Sequence, residues 1–171
     1  FGARGATSHE QAGLGGVAHL VNFLGTDTVA ALVYARKYYG EEMAGFSIPA
    51  AEHSTMTSWG EEREAAAYEN MVEQFGGDGK LVAVVSDSYD LFRAVRNIWG
   101  GELKEKVENM GGTLVVRPDS GDATRVPIDT IEMLGDIFGY RVNAKGYKVL
   151  LVIPDKMSKE KIQHLRAMGA D

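Results

Sequence analysis

Hydrophobic positions along this chain follow two rhythms. Short apolar, β-prone runs occupy residues 19–23, 46–51, 81–85, 113–116 and 149–153, and each stops at polar or charged residues. The closing residues are Gly25-Thr26-Asp27, Glu52-His53-Ser54-Thr55, Ser86-Asp87-Ser88, Arg117-Pro118-Asp119-Ser120-Gly121 and Pro154-Asp155. Between these runs the spacing becomes helical. Tyr68, Met71, Val72 and Phe75 fall at i, i+3, i+4 and i+7, and Leu91, Val95, Ile98 and Trp99 share one side. Helices are predicted over 8–20, 27–39, 61–75, 88–99, 102–110, 127–138 and 159–168. Ser8 and Ser158 are N-cap residues, Pro127 opens a helix, and Gly40, Gly76 and Gly139 follow helix ends. Strand-then-helix repetition predicts an α/β fold of parallel β/α units. Five units suit either a partial TIM-type barrel or an open doubly wound sheet. In both, the strand ends converge on one face, so Asp27, His53, Asp87 and Asp119 are expected in one pocket.

Composition narrows the partners. A length of 171 residues is enough for one domain with a real core. The formal charge of −6 argues against nucleic acid, which needs a basic face. The absence of cysteine excludes disulfides, thiolate metal sites and a cysteine nucleophile. No apolar run approaches the roughly 18–20 residues that cross a bilayer, so no membrane partner is expected and a cytoplasmic location is the default. The chain opens at Phe1-Gly2-Ala3-Arg4-Gly5 without an initiator Met, as a processed protein or a piece of a longer one would.

Two glycine-rich stretches imitate nucleotide motifs and fail on detail. Gly76-Gly77-Asp78-Gly79-Lys80 is followed by Leu81 where a phosphate loop needs Ser or Thr, so it reads as a turn before a strand. Gly13-Leu14-Gly15-Gly16 lies inside a helical pattern rather than after a strand, and close helix packing explains it better. His9 and His164 read as solvated helix positions, and His19 as a hydrogen-bonded residue of the core or behind a site rather than a ligand. No pair of histidines has metal-binding spacing, so the metal ligands are unknown.

Five blocks then occur in a fixed order: Phe1-Gly2-Ala3-Arg4-Gly5, His19 to Thr28, Pro49-Ala50-Ala51-Glu52-His53-Ser54-Thr55, Val85-Ser86-Asp87-Ser88-Tyr89-Asp90 and Arg117-Pro118-Asp119-Ser120-Gly121. Together they resemble the nicotinamide phosphoribosyltransferases from residue 1 to about residue 149. The resemblance implies transfer of phosphoribose from phosphoribosyl pyrophosphate to nicotinamide, giving nicotinamide mononucleotide in NAD salvage. It also implies an irregular β/α barrel, a homodimer, and Mg2+ and ATP as cofactors. By resemblance, Phe1 stacks on the nicotinamide ring, Arg4 contacts substrate near the ring and ribose phosphate, and Asp27 faces the carboxamide. A carboxylate suits that last role because it accepts from an amide NH2 and repels the carboxylate of nicotinic acid. His53 matches a histidine that ATP phosphorylates, with Glu52 orienting it or helping with magnesium. Asp87 and Asp119 match contacts to ribose hydroxyls or magnesium, and Arg117 a forked donor to substrate oxygens.

Beyond about Lys148, residues 146–171 resemble cystathionine β-synthase and cysteine synthase enzymes instead. Neither the Schiff-base lysine motif nor the phosphate loop of those enzymes is present, so no pyridoxal phosphate is expected. The division expected is a barrel fragment over 1–149 and a grafted or divergent strand–helix unit over 150–171, as in a fragment or chimera. The alternative to an enzyme is a non-catalytic chimeric or truncated β/α scaffold that retains remnant site residues.

Overall fold

A computed structural model describes residues 1–139. The chain divides into two compact units, residues 1–48 and residues 49 onward. The division expected at residue 149, the run at 149–153 and the helix at 159–168 lie outside the described residues.

The first unit is built on two helices, α1 (His9–Leu20) and α2 (Val29–Tyr39). Ser8 caps α1, its Oγ accepting from the Gln11 N–H at 3.0 Å. Gly40 ends α2 in the left-handed region at φ 68°. The glycines of α1 are where the helix is closely approached. A Cβ at Gly16 would lie 2.5 Å from the Cβ of Ala31, and one at Gly13 would lie 2.5 Å from the Tyr34 ring.

Residues 19–23 do not form a strand, contrary to the expectation from their apolar run. Leu20 is the last residue of α1, and the Phe23 N–H still bonds the His19 carbonyl at 3.1 Å. The physical reason is that a five-residue apolar run fits a helix end as well as a strand, and α1 propagates into it. The His19 ring then stacks on Phe23 at 4.5 Å and bonds the Gly25 carbonyl at 3.1 Å, turning the chain. A parallel bridge, Gly25 to Phe46, follows.

The second unit holds a parallel pair, β1 (Leu81–Val85) and β2 (Thr113–Arg117), in the register Leu81↔Thr113 through Val85↔Arg117. A turn over Gly77–Lys80 leads into β1, as expected, with the Lys80 N–H bonding the Gly77 carbonyl. Residues 49–51 lie along β1 but make a single bridge, Ala50 to Ala83, in place of the expected strand. Pro49 contributes its carbonyl to Ala83 but has no N–H to extend the ladder.

Five helices accompany the sheet: α3 (His53–Thr57), α4 (Glu64–Phe75), α5 (Leu91–Arg93), α6 (Lys104–Asn109) and α7 (Val126–Phe138). The short helix α3 was not foreseen in the sequence. From Ala94 to Glu102, α5 continues as π-helical turns, closing with the Leu103 N–H on the Ile98 carbonyl at 2.8 Å. The helical face of Leu91, Val95, Ile98 and Trp99 is buried, as are Tyr68, Met71 and Val72, and Ile98, Trp99, Tyr68, Met71 and Val72 form one core cluster with Val82, Val84 and Val85. Among the described residues the fold is thus α/β with two parallel strands and seven helices, and no barrel closes.

Candidate functional site

The ends of β1 and β2 deliver the polar groups. Val85 pairs with Arg117, and one further rung follows, from the Ser86 N–H to the Arg117 carbonyl at 3.0 Å. Asp87 is therefore the first residue past the ladder on one strand, and Asp119 lies two beyond the end of the other. The Asp87 side chain is 5% exposed and uses both oxygens. Oδ1 faces His53 Nε2 at 2.9 Å. Oδ2 accepts from the Asp119 N–H at 2.8 Å and from the Ser120 hydroxyl at 2.6 Å. One carboxylate thus ties the loop after β2 to the first residue of α3.

Burial raises the Asp87 pKa, but hydrogen bonds from Ser120, the Asp119 amide and His53 outweigh it and hold the carboxyl below its usual range. An ionised Asp87 can only accept, so it selects the imidazole tautomer with the proton on Nε2. In the neutral ring the lone pair is then on Nδ1, which lies 3.8 Å from Asp119 Oδ2. Asp119 is half-exposed, so this side of the ring is open to a reactant.

Arg117 closes the other flank. Its Nη2 donates to the Ala51 carbonyl at 3.1 Å and lies 4.0 Å from Glu52 Oε1. Its Nε is buried without a hydrogen-bond partner. Glu52 sits against Arg117 and at the start of α3, its N–H donating to Thr55 Oγ1. The ring of His53 is instead oriented by Asp87.

Of the expected residues, the second unit brings together Glu52, His53, Asp87, Arg117 and Asp119. Phe1, Arg4 and Asp27 belong to the first unit. There the Ser47 hydroxyl donates to Asp27 Oδ1. Phe1 is held by its carbonyl, which accepts from Thr28 Oγ1 at 2.7 Å, and its ring lies on Gly15. Sequence reasoning missed Ser47, Thr28 and Ser120. Ser120 had a signal, a hydroxyl beside an aspartate just after a strand, but hydroxyls are too common in turns for that to discriminate.

Among the described residues no group of three His, Asp or Glu side chains could hold a metal. The donor set fits Mg2+ only in its usual manner, carried on phosphates and joined by one or two carboxylates, of which Asp119 and Glu52 are exposed. No described helix is long and apolar enough to cross a membrane.

Comparison with known proteins gives the family of the chain. Residues 1–169 match the nicotinate phosphoribosyltransferase (NAPRTase) family, across the join expected near residue 149. The chain is 58% identical over 154 residues to the nicotinamide phosphoribosyltransferase of Xanthomonas campestris pv. campestris, covering 88% of this chain and 32% of that protein. It is 33% identical over 198 residues to that of Acinetobacter baylyi, covering 99% and 39%. With that of Mycoplasma pneumoniae the identity is 34% over 183 residues, covering 96% and 38%. The chain spans about a third of the length of these relatives. On the match to nearly all of its residues, the chain belongs to the nicotinate phosphoribosyltransferase family.

Proposed function

We propose that the chain carries the histidine and nicotinamide-reading parts of a nicotinamide phosphoribosyltransferase site. In that reaction the bond from ribose C1 to pyrophosphate breaks and a bond from C1 to the pyridine nitrogen forms. The observation that carries the reading is the His53–Asp87 pair, clamped by the Asp119 amide and the Ser120 hydroxyl.

His53 takes a phosphoryl group from ATP at Nδ1, ADP leaving as the N–P bond forms. Asp87 holds the ring with Nδ1 outward and accepts the Nε2 proton's hydrogen bond, which stabilises the positive charge that develops on the ring. Arg117, about a quarter exposed, donates to substrate oxygens from the open part of its guanidinium. Asp119 and Glu52 face the ribose hydroxyls or the Mg2+ that accompanies the phosphates. In the first unit, Phe1 stacks on the nicotinamide ring, Arg4 meets substrate near the ring and ribose phosphate, and Asp27 accepts from the carboxamide. The parallel pair β1–β2 suits a segment of the β/α barrel that the resemblance implies, and a cytoplasmic homodimer is the assembly expected of it.

Incubating the purified chain with ATP and Mg2+ should yield acid-labile phosphohistidine, absent from His53→Ala. Adding nicotinamide and phosphoribosyl pyrophosphate should yield nicotinamide mononucleotide, lost in His53→Ala and in Asp119→Ala. A chain that melts cooperatively, takes up no phosphate and forms no product is the non-catalytic scaffold, and the proposal is then wrong.

A further inference from the structure

Ser86, the residue before Asp87, is wholly buried, and its hydroxyl both accepts and donates. It accepts from the indole Nε1–H of Trp99 at 3.0 Å and donates to the Val84 carbonyl at 3.0 Å. Its backbone N–H makes the last rung to Arg117. The chain immediately before Asp87 is therefore fixed from three directions, and one of these is a side chain from across the core.

Trp99 is itself held on its other face. Its ring lies flat on Tyr68, with centroids 4.8 Å apart and planes 6° from parallel. The Tyr68 hydroxyl donates to Glu64 Oε1 at 2.8 Å, and Glu64 Oε2 accepts from Arg93 Nη2 at 2.7 Å. Trp99, Tyr68, Glu64 and Ser86 are all among the largest fully buried side chains. The indole is borne on the π-helical turns, a rare geometry that recurs at functional positions. Packing alone does not call for this polar pair. An apolar pair would leave no hydrogen bond to satisfy, and replacing both partners of a buried pair by apolar groups of the same shape can be nearly neutral.

We propose that Trp99 and Ser86 are positioning residues for the His53–Asp87 pair. The indole N–H, through the Ser86 hydroxyl, fixes the end of β1 so that one carboxylate meets His53 Nε2, the Asp119 amide and the Ser120 hydroxyl together. The effect on turnover rests on the function proposed above. The effect on the imidazole does not.

The test reads the ring directly. In the 15N-labelled chain, His53 is assigned by comparison with His53→Gln, and its two ring nitrogens report the tautomer. Wild type should show the Nε2–H form with a slowly exchanging proton. Trp99→Phe removes the N–H donor and, with the smaller ring, some packing in the core. It should speed exchange of that proton by about 2- to 10-fold, the range expected from one lost neutral hydrogen bond, and lower the Nε2–H fraction. Ser86→Ala should do the same, and the double variant no more than Ser86→Ala, because the indole–hydroxyl bond is common to all three and Ser86→Ala also gives up the bond to the Val84 carbonyl. Should Trp99→Phe fail to fold, Ser86→Ala carries the test.

Val72→Ala in the same core supplies a control for general loosening. The proposal is overturned if folded Trp99→Phe and Ser86→Ala leave the His53 ring signals at wild-type values, or if Val72→Ala alters them equally. Altered ring signals in a chain whose wild type forms no phosphohistidine would uphold the positioning role and reject the function.

Discussion

Replacing Asp87 by Asn isolates what its charge does. The wild-type carboxylate accepts three hydrogen bonds, from His53 Nε2, the Asp119 amide and Ser120 Oγ. In the variant, the carbonyl oxygen can still accept from Asp119 and Ser120, which leaves the new NH2 facing His53. The ring must then accept at Nε2, moving its proton to Nδ1. All three contacts survive, but none is charge-assisted. Bonds to a charged group contribute about 1.5–3 kcal/mol and neutral ones about 0.5–1.5. Three weakened bonds at about 1 kcal/mol each give a loss of about 3 kcal/mol at neutral pH. For a chain of this size, that lowers Tm by about 6–12 °C. Fluorescence follows the relevant part, since both tryptophans, Trp59 and Trp99, lie in the second unit.

The pH dependence has a fixed sign. Burial pushes the Asp87 pKa up, but Ser120, the Asp119 amide and His53 together bring it below the usual carboxylate range. The unfolded chain therefore takes up this proton first as pH falls. The contribution of the charge is complete above the unfolded value of about 3.9 and is lost as pH drops through the folded value. The gap between wild type and Asp87→Asn should close in that acid window. Phosphohistidine should be lost at neutral pH, because the proton now occupies Nδ1. An aspartate-to-asparagine change that keeps geometry can remove activity through the tautomer alone. Equal melting at neutral pH, or a gap undiminished in acid, would refute the assignment of Asp87 as an ionised clamp.

Two glycines of α1 should respond oppositely to the same change. Gly16→Ala brings a Cβ within 2.5 Å of Ala31 Cβ, which no rotation can move, so overpacking should outweigh the gain in helix propensity and cost about 1–2 kcal/mol in a far-UV melt. Gly15→Ala meets only the far edge of the Phe1 ring at 2.6 Å. That ring can swing away, so stability should hold or rise by up to about 1 kcal/mol, while nicotinamide affinity by calorimetry falls. Asp27→Asn should narrow the preference for nicotinamide over nicotinate by at least about 5-fold, since repulsion between like charges at about 4 Å is worth about 1–4 kcal/mol. An unchanged ratio of the two affinities would remove Asp27 from ring recognition.

The legible parts of the fold were those where two signals agreed. β1 is a run of Leu, Val and Ala between a glycine turn and Ser86, and β2 repeats that layout between Gly112 and Pro118. Residues 19–23 carried one signal only, apolarity, which a helix end satisfies equally. Residues 46–51 contain Pro49, whose missing N–H limits pairing to one bridge. The π-helical turns were hidden because Leu91, Val95, Ile98 and Trp99 suit a face of either helical period. The site divides in the same way. Asp87, Asp119 and His53 could be found because strand ends concentrate polar groups. Asp27 belongs to the first compact unit, where the Ser47 hydroxyl donates to it.

The clamp explains why function and local stability should be hard to separate here. Asp87 is one of few bonds joining the β1 end, the β2 loop and α3, and it also decides which imidazole nitrogen is free. A residue serving only catalysis could be removed with little loss of stability, and a residue serving only packing could be replaced by its isostere with little loss of function. Asp87 permits neither, because the hydrogen bonds that hold the loop are the same ones that keep its carboxyl ionised. Ser120→Ala makes the coupling visible. It removes a donor from the loop without touching the ring, so it should raise the Asp87 pKa and weaken the hold on His53 together. Asp87→Asn should then add less damage in that background than in wild type. Full additivity of the two changes in stability would mean that the loop and the histidine are held independently.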